Sequence, residues 1–334
     1  MLREELATSP GRSRFATFCW VALAYVLAVI VWGAFVRATG SGAGCGSHWP
    51  TCNGEVVPRS PSAKTLVEFS HRVTSGLSGL VVLAQVLWAR RVYPGGHRVR
   101  RAAGWAGGFM VLEVLIGAGI VLLKYVADDQ SLGRAVWMGI HLISTFLLIA
   151  AMTLTAYYAS GGARARLRGH GNLGRLAVLA MVAILCTGLS GAIAALGDTL
   201  FPAESLGTAL AEDLSPTAHF LVRLRVAHPF IAVGAAFLVL GYRALAQARQ
   251  GHRPGVAQWG LMLRITVLGQ LALGLANVML LAPVWLQLLH LFLADAIWIS
   301  LLLFVASALA DTPAEPMDRI SQPDSIEPLG EPAQ

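Results

Sequence analysis

Hydrophobic residues along the chain fall into eight blocks separated by polar stretches, at 15–36, 66–89, 102–123, 135–158, 176–197, 218–242, 258–281 and 285–308. Each block approaches the roughly 20 residues that a helix rising about 1.5 Å per residue needs to cross a hydrocarbon layer. The pattern predicts an all-α polytopic membrane protein with eight transmembrane helices set in a lipid bilayer. The first block holds 22 uncharged residues and seven more blocks follow it, so it reads as a retained span rather than a cleaved signal.

Composition agrees with this reading, since 56% of the 334 residues are hydrophobic and only 13% are charged. The net charge of +7 would suit nucleic acid, but its distribution argues for membrane topology instead. Loops 90–101, 159–175 and 243–256 carry five, four and three Arg and no acid, whereas Asp128, Asp129, Asp198, Glu204, Glu212 and Asp213 lie in the alternate loops. Arg-rich loops stay cytoplasmic, which predicts both termini inside and the loops 37–65, 124–134, 196–217 and 282–284 outside. No nucleic-acid partner is expected. The segment from Asp311 onward is acidic and contains five Pro, the composition of a disordered cytoplasmic tail. Glu4 and Glu5 disfavour a mitochondrial presequence, so a bacterial plasma membrane is the expected location.

A shift of 157 residues carries His71 onto His228, Glu113 onto Gln270, Gly117 onto Gly274 and Val121 onto Val278. A shift of 158 carries Gly33-Ala34 onto Gly191-Ala192. The chain therefore reads as two tandem four-helix bundles related by a pseudo-twofold repeat of parallel type. The implied divisions are an N-terminal tail over 1–14, bundles over 15–160 and 176–308, a cytoplasmic linker over 161–175 and a tail over 309–334.

Each unit places one histidine in its second helix and one in its fourth: His71 and His141, then His228 and His290. An ionisable side chain inside a bilayer is costly and marks a functional site by default. All four fall roughly five to ten residues past the outer end of their helices, a matched depth at which two facing helices can hold one metal between them. A lone membrane histidine often only bonds a neighbouring helix, but four at matched depth form the expected ligand set for two hemes. His97, His170 and His252 lie in Arg-rich inner loops, and His48 and His219 near the outer surface; of these, only His219 rivals His228.

The halves differ one helical turn before the first histidine, where Glu68 corresponds to Arg225. A carboxylate at a low-dielectric edge suits proton transfer, whereas the bland alternative pairs Glu68 with Arg72. Glu113 in the third helix faces either a hydrogen-bonding or a ligand-contacting role. Gly76, Gly79 and Gly139 suit a flat ligand or plain helix packing. Cys45 and Cys52, in the first outer loop on the oxidising face, are candidates for a disulfide.

The stretch GAFVRATGSGAGCGSHWPTCNG, the EFSHR motif at Glu68–Arg72 and the histidines of helices 4, 6 and 8 resemble heme A synthase over about residues 15–308. The resemblance implies an oxidoreductase that converts the C8 methyl of heme O to a formyl group through successive hydroxylations and a geminal diol, giving heme A for terminal oxidases. It implies that His71 and His141 frame the substrate heme, that His228 and His290 hold a resident heme b, that Glu68 is important for activity, and that Cys45 and Cys52 form a cysteine pair. It further implies heme O synthase and terminal oxidase assembly factors as partners, and a homo-oligomer stays open. The third outer loop lacks the cysteine pair of some relatives. Beside this enzyme reading stand a diheme b-type cytochrome passing electrons to or from quinone, and a heme transporter. The latter would need a through-path, whereas all four histidines fall in one leaflet.

Overall fold

The computed structural model describes residues 10–167 and 169–310. Ten helices are found among them: α1 (Pro10–Ala38), α2 (Ala63–Val92), α3 (Arg98–Leu122), α4 (Leu132–Ala159), α5 (Asn172–Leu200), α6 (Leu206–Asp213), α7 (Phe220–Arg225), α8 (Ala227–Gln250), α9 (Val256–Met279) and α10 (Val284–Ala308). Eight helical stretches, with α7 and α8 counted as one, are long and apolar enough to cross a membrane, as the hydrophobic blocks predict. This is a multi-pass, all-helical membrane protein.

The helices overrun the hydrophobic blocks because flanking polar residues still satisfy their backbone groups by continuing the helix. At the start of the chain, residues 10–14 belong to α1 rather than to a tail, and at the linker Asn172–Arg175 already belong to α5. Asp198, expected in a loop, sits in the last turn of α5. The loop that follows contains the short helix α6, started by a capping box between Ser205 and Thr208. Residues 1–9 and most of the expected disordered tail lie outside the described residues. Leu309 and Ala310 meet the linker instead, where Leu309 O accepts from Arg166 N at 2.9 Å.

The sixth span breaks where the sequence predicts continuity. Val226 separates α7 from α8 while keeping helical angles, φ −59° and ψ −33°. Pro229 explains the break: it has no N–H, and its ring crowds the carbonyl of residue 225, so the ladder loses a rung just before His228.

Packing among the spans forms two rings. Helices α1 to α4 each touch their sequence neighbours and α1 closes on α4; α5, α8, α9 and α10 do likewise, with α10 closing on α5. Helices α4 and α10 form most of the seam between the rings. Half of each is buried, against a third or less of the other spans. At the centre of the seam the Trp298 indole donates to Phe146 O at 2.7 Å while the two rings stack at 5.7 Å. Arg37, at the end of α1, crosses the seam to Ala195 O and Thr199 Oγ1 of α5, both at 2.7 Å, and to Gln287 Oε1 of α10 at 3.0 Å.

Candidate functional site

Alternate spans begin at the same end of the molecule, the end that carries the 39–62 loop, and these four spans bear the histidines. His71, His141, His228 and His290 lie six to nine residues from the starts of α2, α4, α7 and α10, or roughly 9–14 Å deep. The side-chain N-caps Ser62 and Ser131 begin α2 and α4, so the register that sets this depth is fixed locally in the first half.

In the second half the rings of His228 and His290 stand 6.4 Å apart, centre to centre, with their planes at 84°. Two metal–nitrogen bonds of about 2 Å, plus roughly 1 Å from each ring centre to its nitrogen, span a similar distance. His228 Nδ1 lies 3.0 Å from Ser190 Oγ, which leaves its Nε2 for another partner. His290 Nε2 lies 3.2 Å from Gln270 Nε2, and its Nδ1 has no partner. In the first half His71 lies on α2 and His141 on α4, two spans of the same ring. His71 Nδ1 is buried without a partner. Glu113 Oε2 approaches His141 Nδ1 to 2.9 Å, off the axis of a ring N–H bond.

Glycines cradle these rings. A Cβ on Gly33 would stand 2.8 Å from His71 Cε1, one on Gly191 would stand 3.0 Å from His228 Cε1, and one on Gly274 would stand 3.3 Å from His290 Cε1. Gly33 and Gly191 are the pair that the 158-residue shift superposes. Gly139 serves packing instead, since its Cβ would meet Leu189 of α5. Gly76 and Gly79 leave open space beside α2.

Glu68 is 4% exposed and both its oxygens are engaged. Oε1 accepts from Arg72 Nη2 at 2.5 Å and Nε at 3.1 Å, and Oε2 accepts from Cys45 N at 2.8 Å. Arg72 Nη1 in turn donates to His48 O at 2.6 Å and Thr51 O at 2.7 Å. Cys45 and Cys52 are disulfide-bonded, with Cα atoms 4.4 Å apart. Thr65 Oγ1 also donates to Gly44 O at 2.9 Å. The disulfide loop is thus clamped onto the first turns of α2, directly above His71, and the sequence-level pairing of Glu68 with Arg72 is part of that clamp.

Arg225, the counterpart of Glu68, meets Asp213 at 2.5 Å, Asp198 at 3.4 Å and Glu212 at 4.0 Å. Asp198 of α5 and the α6 acids Glu212 and Asp213 neutralise this cation. His219 caps α7, its Nδ1 accepting from Leu221 N at 3.4 Å, and its ring stacks on Phe201. It does not compete with His228 for the interior.

Sequence reasoning did not assign the partners of the histidines: Glu113, Gln270 and Ser190. The repeat already aligned Glu113 with Gln270, and that alignment was the available signal. Among the described residues no three His, Cys, Asp or Glu side chains gather as metal ligands. Paired histidines with glycine cradles suit a group that brings its own equatorial donors, which a porphyrin does.

Residues 16–302 match the family model COX15-CtaA, described as cytochrome oxidase assembly protein. The chain is 50% identical over 301 residues to a protoheme IX farnesyltransferase of Thermus thermophilus, covering 90% of this chain and 49% of that protein. It is 34% identical over 149 residues to a heme A synthase of Exiguobacterium sibiricum (45% of this chain, 46% of the relative). It is 39% identical over 141 residues to a heme A synthase of Geobacillus kaustophilus (41% and 43%). The chain spans about half the length of these curated relatives. With the eight spans, the paired histidines and the family match together, the chain belongs to the heme A synthase family, the COX15-CtaA cytochrome oxidase assembly proteins.

Proposed function

We propose that this chain is a heme A synthase, an oxidoreductase that converts the C8 methyl of heme O to the formyl group of heme A. The observation that carries the reading is the duplicated histidine pair, each half cradling a ring against a glycine in the same place. The half spanning 15–160 takes the substrate heme between His71 and His141. The half spanning 176–308, beyond the 161–175 linker, keeps a resident heme b on His228 and His290. When bound, that heme supplies one-electron chemistry; the protein's part is to orient and insulate. Glu68 and Arg72 hold the disulfide loop over the substrate half, which shields the reacting edge from water and keeps His71 in register. Arg37 keeps the two halves at a fixed separation. Both termini face the cytoplasm of a bacterial plasma membrane, and the histidines lie in the outer leaflet.

The farnesyltransferase name of the Thermus relative fits a two-part arrangement. This chain matches about half of that protein, and parts of this chain also match heme A synthases. We assign farnesyl transfer to the half that this chain does not cover. A farnesylated heme is the substrate proposed here, so heme O synthase and terminal oxidase assembly factors are the natural partners.

The test is to express the chain with a source of heme O, extract the bound hemes and weigh them. Heme A, or hydroxylated heme O, is the expected product. Unmodified heme O alone would overturn the proposal and favour a diheme electron-transfer cytochrome.

A further inference from the structure

Glu113 of α3 and Gln270 of α9 occupy matching places in the duplication, and each reaches the histidine of the next span. They reach different nitrogens. Glu113 Oε2 lies 2.9 Å from His141 Nδ1, whereas Gln270 Nε2 lies 3.2 Å from His290 Nε2. Glu113 is itself held in place: Ser144 Oγ donates to Oε1, and Thr145 Oγ1 is 3.2 Å from Oε2. Thr145 Oγ1 also lies 2.8 Å from His141 O. The carboxylate, the two hydroxyls and the imidazole therefore form one unit across α3 and α4.

The chemical consequence differs between halves. A carboxylate 2.9 Å from Nδ1 favours the tautomer that carries its proton there, which leaves the lone pair of His141 Nε2 for a metal. A carboxylate behind an imidazole also raises its basicity as a ligand. The amide of Gln270 donates instead, and to the nitrogen that Glu113 leaves free in the other half. His290 Nδ1 has no partner, so nothing increases the basicity of that ring.

We propose that Glu113 is a positioning residue that selects the tautomer and orientation of His141 and makes it the more electron-donating axial ligand. The iron held by the first half then has a lower midpoint potential than the iron held by the second, since hydrogen bonding behind the axial ligand tunes heme potential. This inference rests on the heme-binding reading above.

The experiment uses the full chain carrying His228→Ala and His290→Ala, reconstituted with hemin so that only the first half binds it. Adding Glu113→Gln should leave hemin bound, raise its midpoint potential and shift the resonance Raman bands of the axial ligand. Glu113→Asp should stay near the parent. Hemin bound with unchanged potential and bands in Glu113→Gln overturns the inference and leaves the proposed function standing. A parent that binds no hemin overturns the site reading itself. Should Glu113→Gln fail to fold, Ser144→Ala with Thr145→Val, which removes the two hydroxyls that hold Glu113 against His141, decides in the same background: a raised potential supports the inference, and an unchanged one overturns it.

Discussion

The imidazoles of His228 and His290 face each other edge to plane at 6.4 Å, brought together by two spans that are separated by a whole antiparallel helix in the chain. Neither ring owes its place to its own helix alone. Ser190 of α5 holds Nδ1 of His228, Gly191 leaves room for the ring, and Pro229 breaks the helix just before it.

His228→Ala or His290→Ala should each remove about one bound heme per chain, since a single imidazole holds iron far more weakly than a pair. Heme counted by extraction after purification checks this. An unchanged content would detach the pair from heme binding.

Gly33→Ala places a methyl 2.8 Å from His71 Cε1, and Gly191→Ala places one 3.0 Å from His228 Cε1. Overpacking of this kind costs about 1–3 kcal/mol, so heme affinity in the affected half should fall by roughly 5-fold to 150-fold. Titration of each variant with hemin measures the loss, which should be confined to the half that carries the substitution.

Glu68→Ala strips both partners from the Arg72 and Cys45 clamp. The pair is nearly buried, with side-chain exposures of 13% and 5%, and removing one member of such a pair costs about 3 kcal/mol or more. The 45–52 loop should become sensitive to protease and heme A formation should fall, while the absorbance of the heme proposed for His228 and His290 persists. Loss of that absorbance as well would mean global misfolding.

At the opposite end of the molecule His97 caps α3, its Nδ1 accepting from Val99 N at 3.2 Å, and its ring stacks on Tyr93. Burial first, then the nearby Arg98 and Arg12, holds its pKa below the ordinary 6.5. The neutral ring is the capping form, so its contribution is complete above the unfolded value and is lost as pH falls through the lower folded one. His97→Asn keeps a capping side chain and should flatten the acid side of the stability profile, whereas His97→Ala should lower Tm at neutral pH. Thermal unfolding followed between pH 5 and 8 reads both effects.

Much of the architecture was legible in the chain because hydrophobic block length is a one-dimensional property. Eight runs of spanning length predict eight spans, and runs of about 20 apolar residues suit helices rather than the shorter strands of a membrane barrel. The 157-residue shift singled out His71 and His228 and set Glu68 against Arg225, while position within the fourth and eighth blocks singled out His141 and His290. The kink before His228 was visible only as Pro229, and the short helix α6 was missed because a single capping box inside a polar loop is a weak local signal.

Tertiary structure decided what lies beside each of these residues. A helix presents the same sequence whichever way it is rotated, so nothing in the chain alone said that Glu113 would meet His141, that Glu68 would spend both oxygens on Arg72 and Cys45, or that Arg37 would cross to α5 and α10. Those contacts depend on rotations about helix axes, which are set by the packing of small residues such as Gly33, Gly191 and Gly139 against particular partners. The amino-acid order determined that helices cross and where the imidazoles sit along them. Packing decided which faces meet, because van der Waals contact between distant segments is settled only when all the spans are in place.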